Sequence, residues 1–111
     1  TRVGVQPVLM TLPPIDGARY LDYICRGGLS RDSIMRWLGD VGCIYRHQEL
    51  YSDTVASFAM REGLPLIDVR RRFLPQRDLS ELISADGIHL PMPGYRQLFD
   101  TLAQWVVPQL A

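Results

Sequence analysis

The chain has 111 residues, of which 47% are hydrophobic and 22% are charged. This composition is typical of a small globular protein, and we expect a single domain over residues 1–111. Twelve basic residues balance twelve acidic ones, which argues against nucleic acid or an anionic membrane surface as a partner. No apolar run approaches the roughly 20 residues that a transmembrane helix requires, so no transmembrane segment is predicted.

Four elements are predicted in the first half of the chain, namely a buried strand followed by three helices. They span Val3–Thr11, Asp16–Arg26, Ser30–Leu38 and Val41–Arg61. The strand is a nearly continuous apolar run, but Pro7 lacks a backbone donor and therefore marks its effective start. Asp16 and Ser30 are the expected N-caps of the first two helices, and Gly63 is the expected C-cap of the third.

The second half is predicted to contain another buried strand, one or two helical turns and a C-terminal amphipathic helix. These elements span Leu64–Val69, Asp78–Ile83 and Pro93–Leu110. A strand, helices, a strand, a loop and a helix in this order form an α/β pattern. Such a pattern predicts a parallel sheet that is covered by helices on both faces.

The strongest candidate site is the loop before the last helix, where Asp86 and His89 stand three residues apart. Gly87 permits a tight bend, so we expect the carboxylate of Asp86 to fold back onto the imidazole of His89. A carboxylate that accepts a hydrogen bond from one ring nitrogen fixes the tautomer and leaves the other nitrogen free to act as a general base. The simpler alternative is a loop aspartate that caps local amides beside a surface histidine.

A run of three arginines, Arg70–Arg72, follows the second predicted strand. Guanidinium groups in such a run suit a phosphate or carboxylate ligand. The expected role is nevertheless structural, with solvated charges that form local ion pairs with Asp68, Asp78 and Glu81.

Metal and redox chemistry are not indicated. His47 is expected on the surface of the third helix, and a metal site formed by Asp86, His89 and His47 has no further ligand at a suitable spacing. Cys25 and Cys43 are far from the C-x-x-C spacing. They are expected to be free thiols, with a disulfide between them as the alternative.

The segment D-G-I-H-L-P from Asp86 to Pro91, followed by Pro93-Gly94-Tyr95 at the start of a helix, resembles the last conserved block of the SGNH (GDSL-type) hydrolases. That family comprises serine esterases, lipases and acetylhydrolases on a flavodoxin-like fold. The resemblance implies that the chain forms the C-terminal part of a three-layer α/β/α sandwich. It also implies that Asp86 and His89 are catalytic and that no cofactor is needed.

The resemblance covers only the back half of the family pattern. The other family blocks supply a nucleophilic serine in a G-D-S context, and a glycine and an asparagine that bind the oxyanion. This chain has no G-D-S, no G-x-S-x-G and no asparagine. The first residue, Thr1, also indicates a processed or truncated piece. We therefore expect an inactive C-terminal half, in which His89 would deprotonate a serine of an absent N-terminal half.

Partners follow from the same interpretation. The implied substrate is an ester, either an acylated sugar or a lipid. Removal of the first strands would leave the edge of the Val3–Thr11 strand unpaired, and such an edge invites pairing with the missing half or with a second copy. The alternative from another class is a non-catalytic SGNH-like module that serves in carbohydrate binding or as a scaffold.

Overall fold

The computed structural model describes residues 3–110, so Thr1 lies outside the described residues. Within this range the chain forms two short strands, five α-helices and one 3₁₀ helix. In chain order they are β1 (Leu9–Met10), α1 (Gly17–Arg26), α2 (Arg31–Leu38), α3 (Gly42–Glu62), β2 (Leu66–Ile67), α4 (Val69–Phe73), the 3₁₀ helix (Leu79–Leu82) and α5 (Met92–Gln109).

The two strands form a parallel pair in the register that places Leu9 opposite Leu66. The backbone N–H of Leu9 donates to the carbonyl of Pro65 at 3.0 Å, and that of Thr11 donates to the carbonyl of Ile67 at 3.1 Å. Helices α1, α2 and α3 form the connection between the strands, as parallel pairing requires. The strands are parallel, as the sequence predicts.

The predicted three-layer α/β/α sandwich is wrong, because 61% of the described residues are helical and only 4% belong to strands. The first strand is short because Pro7 has no N–H for a ladder, and the preceding apolar residues Val3 and Val5 are 81% and 62% exposed. The second strand ends early because Asp68 caps α4, its carboxylate accepting the N–H of Arg71 at 3.3 Å. Two paired positions between β1 and β2 are too few to form a sheet that helices could cover on both faces.

The predicted helix boundaries are close to those observed, and the capping residues explain them. Asp16 accepts the N–H of Arg19 at 3.1 Å, and Ser30 accepts the N–H of Ser33 at 3.2 Å, so each side chain satisfies a free donor of its helix. Gly63 ends α3 in a left-handed conformation with φ +67°. Helix α4 (Val69–Phe73) was not predicted, because Val69 was assigned to the end of a strand and the residues from Arg70 to Phe73 to the loop after it.

The main core lies where both strands, α4, the 3₁₀ helix and α5 meet. Its buried residues are Ile67, Val69, Phe73 and Leu82. Partly buried side chains surround them, namely Met10, Leu79, Leu90, Leu98, Leu102 and Trp105. Val69 and Phe73 have no exposed surface. The core therefore ties the C-terminal helix to the segment that precedes the Asp86–His89 loop.

The chain exposes more surface than a compact monomer of its size. Its accessible surface is 7797 Å², whereas a folded monomer of 12.6 kDa exposes about 6,200 Å². Its radius of gyration is 16.6 Å, against about 13 Å for a compact domain of this length. This excess of about 1,600 Å² for one chain is about twice the 800 Å² that each partner buries in a standard protein–protein interface.

Candidate functional site

The site is a tight loop between the 3₁₀ helix and α5. The N–H of Ser84 donates to the carbonyl of His89 at 2.8 Å, and the N–H of Gly87 donates to the carbonyl of Ser84 at 2.9 Å. Gly87 has φ +82°, a conformation that glycine adopts without the steric cost of a side chain. These bonds close the loop and place the side chains of Asp86 and His89 on the same side of it.

Two residues of the first helical region hold this loop in place. The N–H of Asp16 donates to the carbonyl of Gly87 at 2.8 Å, and Nη1 of Arg19 donates to the carbonyl of Ile83 at 2.7 Å. Because Asp16 also caps α1, the loop is fixed against the start of that helix. It therefore lies on the side of the fold where the chain passes from β1 into α1.

The structure brings Asp86 and His89 into direct contact. Oδ2 of Asp86 lies 2.5 Å from Nδ1 of His89. Oδ1 of the same carboxylate accepts the N–H groups of Ile88 and His89, each at 3.0 Å. The Asp86 side chain is 19% exposed and the His89 side chain is 70% exposed. Among residues 3–110, no hydrogen bond involves Nε2, the other ring nitrogen of His89.

Three hydrogen bonds keep the Asp86 carboxylate ionised. Hydrogen bonds lower the pKa of Asp86 from 3.8 to about 2. In decreasing order of effect, they come from the backbone N–H of His89, the ring of His89 and the backbone N–H of Ile88. A carboxylate that stays charged in this position accepts the Nδ1 proton of the imidazole. It thereby makes Nε2 the basic nitrogen of the neutral ring.

Loop order should follow the ionisation of Asp86. Because the pKa of Asp86 is lower in the folded chain than its ordinary value, the stabilisation is complete above pH 3.8 and is lost as pH falls through about 2. We expect the amide signals of Ile88 and His89 to titrate together near pH 2 in two-dimensional NMR spectra. In the Asp86→Asn variant this transition should be absent. A midpoint close to 4 in the unaltered chain would contradict the hydrogen-bonding account.

The His89 ring has a carboxylate partner in the loop but no hydroxyl or thiol partner. Within the described residues, no serine, threonine or cysteine side chain bonds the ring of His89. Ser52, the most buried serine, is 1% exposed and accepts the N–H of Leu12 at 3.0 Å. Ser84 lies in the loop itself, where its backbone pairs with His89. The described residues therefore provide an aspartate–histidine pair without a nucleophile beside it.

Arg70 has a role that differs from the predicted one. It is only 7% exposed, and its Nη1 donates to Gln48 Oε1 at 2.7 Å and to the carbonyl of Leu12 at 3.2 Å. Its guanidinium lies 5.2 Å from the ring centre of Tyr45, and its backbone N–H donates to Oγ1 of Thr11 at 3.0 Å. The expectation of a solvated charge was wrong for Arg70, whereas Arg71 and Arg72 are exposed.

The side of the Arg70 guanidinium that carries Nε and Nη2 is buried and makes no hydrogen bond within residues 3–110. Nε and Nη2 of Arg70 have no hydrogen-bond partner among the described residues. The adjoining cleft has a volume of about 320 Å³ and includes the carboxylates of Glu49, Asp53 and Asp68. These negative charges disfavour an anion there, and the two nitrogens have almost no accessible surface. Arg70 therefore joins α3, α4 and the segment after β1 rather than forming a ligand site.

The remaining candidates do not join the loop. Nδ1 of His47 lies 3.0 Å from the carbonyl of Cys43 and 3.3 Å from its Sγ, so this histidine bonds within its own helix. Across residues 3–110 no group of three or more potential ligands stands close enough to hold a metal ion. Cys25 and Cys43 are free thiols, which excludes the alternative disulfide.

Comparison of the chain with known protein families, with curated proteins and with solved structures gave no match. None of the helices in the described part of the chain is long and apolar enough to cross a membrane.

Proposed function

We propose that this chain supplies the acid–base element of a serine ester hydrolase, with His89 as the base and Asp86 as the residue that orients it. The observation that carries the proposal is the contact of 2.5 Å between Oδ2 of Asp86 and Nδ1 of His89. The His89 side chain is also 70% exposed, and no residue of the described range hydrogen-bonds its Nε2. The resemblance of the segment Asp86–Pro91 to the last block of the SGNH hydrolases supports the ester as substrate.

The chemistry follows from this geometry. Nε2 of His89 takes the proton of a serine hydroxyl as the serine oxygen attacks the ester carbonyl. The imidazolium that forms is stabilised by the ionised Asp86. His89 then returns the proton to the departing alkoxide, which leaves as an alcohol, and an acyl-serine remains. In the second half of the cycle the same nitrogen deprotonates a water that attacks the acyl-serine, and it returns the proton to the serine oxygen as the carboxylic acid leaves.

The nucleophile and the oxyanion donors come from a polypeptide segment outside residues 3–110. An exposed base with no neighbouring hydroxyl does not perform acyl transfer. The chain alone should therefore be inactive toward esters. An acylated sugar or a lipid is the substrate class that the SGNH resemblance suggests.

The test is hydrolysis of p-nitrophenyl acetate by the chain alone and after addition of an N-terminal segment that carries the G-D-S and asparagine blocks. We expect activity only in the mixture, and a loss of about 10²- to 10⁴-fold in the His89→Ala variant. The alanine variant should still fold, because the loop bonds of residue 89 use its backbone N–H and carbonyl. The matched control is His47→Ala, which removes the other histidine and should leave activity unchanged.

One result would replace this proposal. If the two polypeptides form a complex and the complex hydrolyses no ester, the Asp86–His89 pair is a structural feature of the loop. The chain would then be the non-catalytic binding or scaffolding module.

A further inference from the structure

A thiol and an imidazole are in direct contact near the start of α3, outside the Asp86–His89 loop. Cys43 and His47 are four residues apart, so their side chains share one face of the helix. Nδ1 of His47 lies 3.3 Å from Sγ of Cys43 and 3.0 Å from the carbonyl oxygen of the same residue. The pair therefore combines a nucleophile with a group that can carry its proton.

The contact with the carbonyl fixes the proton of the His47 ring. A carbonyl oxygen only accepts hydrogen bonds, so the contact of 3.0 Å requires a proton on Nδ1. The same N–H lies within reach of Sγ, in the manner of the three-centre hydrogen bonds that occur in helices. Sulfur is thus the acceptor of this pair, which is the role of a thiolate. Nε2 is the ring nitrogen that is free to take the thiol proton.

The other charges around Cys43 do not oppose a negative sulfur. Cys43 is the second residue of α3, where free backbone N–H groups give the helix a partial positive charge. Arg46 interacts electrostatically with the Cys43 sulfur, and its guanidinium is paired with the carboxylate of Asp40 at 3.1 and 3.2 Å. Because the charges of Arg46 and Asp40 largely cancel, His47 is the group that distinguishes this thiol.

A cavity of about 550 Å³ lies beside the pair, between α2 and α3. Besides Cys43 and His47, it is lined by uncharged and mostly apolar side chains, namely Trp37, Leu38, Ile44 and Tyr51. Its volume is within the range of about 300 to 1,000 Å³ that small-molecule sites occupy. Trp37 is 84% exposed and Tyr51 is 61% exposed, so the cavity is open to solvent. An apolar molecule can contact both rings with its reactive end at Sγ.

We propose that Cys43 and His47 form a covalent acceptor site for apolar α,β-unsaturated carbonyl compounds. The thiol proton passes through solvent to Nε2 of His47, and Sγ of Cys43 forms a bond to the β carbon of the compound. The π pair of the C=C bond moves toward the carbonyl group and gives an enolate. The α carbon then takes a proton from the imidazolium, and the product is a neutral thioether.

This class of compound suits the groups that are present. Addition to a C=C bond expels no leaving group, and it needs only a nucleophile and a proton carrier, without an oxidant or a reductant. The apolar walls of the cavity favour a compound with an aromatic or aliphatic body. The inference does not rest on the proposed ester chemistry, because neither Asp86 nor His89 takes part.

Cys25 provides an internal control for this site. It is also a free thiol of intermediate burial, and it also has an arginine nearby, Arg31, whose guanidinium is paired with Asp22. Within residues 3–110 no hydrogen bond joins Cys25 to a histidine, and Cys25 does not line the cavity beside Cys43. A difference in rate between the two thiols therefore measures the effect of His47 and of the cavity.

The experiment is labelling of the chain at neutral pH with N-phenylmaleimide, an apolar probe of this class, with the adduct at each cysteine followed by peptide mass spectrometry. We expect Cys43 to react about 10-fold faster than Cys25, or more. In His47→Ala, Cys43 should react at about the rate of Cys25, and the rate of Cys25 should stay unchanged. Circular dichroism should show this variant folded, because His47 is exposed and bonds only within its own helix.

A second probe and a second variant test the cavity. Maleimidopropionic acid has the same reactive ring with a carboxylate in place of the phenyl group, and its preference for Cys43 should be several-fold smaller. Trp37→Ala should reduce the preference of N-phenylmaleimide for Cys43. Equal rates of the two thiols with N-phenylmaleimide would overturn the proposal. A preference for Cys43 that persists in His47→Ala, or that is the same for both probes, would also overturn it.

Discussion

Replacing Gly87 by alanine is expected to destabilise the fold by about 2 to 5 kcal/mol and to disrupt the Asp86–His89 contact. A methyl group at this position would lie 2.5 Å from the backbone nitrogen of Tyr20 and closer still to the carbonyl of Asp16. Such overpacking costs about 1 to 3 kcal/mol. The backbone itself has φ +82°, which adds about 1 to 2 kcal/mol for a residue with a side chain.

Chemical denaturation of Gly87→Ala beside Gly63→Ala separates these two costs. Gly63 has a similar φ of +67° but nothing within 4 Å of the added methyl, so only the conformational cost of about 1 to 2 kcal/mol applies there. The two variants should therefore differ by at least about 1 kcal/mol. Equal losses of stability would show that the close approach of the loop to the start of α1 does not constrain the site.

Replacing Phe73 by alanine should lower the free energy of unfolding by about 3 to 5 kcal/mol. Phe73 has no exposed surface and lies in the same cluster as Val69 and Leu82. Residues 3–110 contain few other buried apolar side chains that could stabilise the fold in its place. Since small domains are stable by only about 5 to 15 kcal/mol, this single change should remove much of the stability of the protein.

The measurement is urea denaturation followed by circular dichroism, with Phe58→Ala as the matched control. The ring of Phe58 is 44% exposed and lies 5.9 Å from the guanidinium of Arg61, an exposed contact worth about 0.5 to 1 kcal/mol. We expect its loss to cost much less than that of Phe73. If the two variants were equally stable, the core around α4 and α5 would not be the main support of the fold.

Helices were predictable from this sequence because their signals are local. Asp16, Ser30 and Gly63 act on donors and acceptors within their own turns, and the amphipathic pattern of α5 is contained in one segment. The sheet was not predictable in the same way. An apolar run such as that before Leu12 becomes a strand only where another strand provides a ladder, and the described residues provide two paired positions.

The same distinction holds for the candidate site. Asp86 and His89 are three residues apart, so a tight loop with Gly87 was sufficient to bring their side chains together. The position of Arg70 depends on contacts with Leu12 and Gln48, which are distant in sequence. Three consecutive arginines give no signal that one of them is buried.

The most direct test is the tautomer of His89, read from long-range ¹H–¹⁵N NMR spectra after the pH has been raised until the ring signals stop changing. We predict that Nδ1 carries the proton and that Nε2 is bare, because the carboxylate of Asp86 accepts the Nδ1 proton. In Asp86→Asn the proton should move toward Nε2. A ring that carries its proton mainly on Nε2 in the unaltered chain would contradict the assignment of His89 as an oriented base.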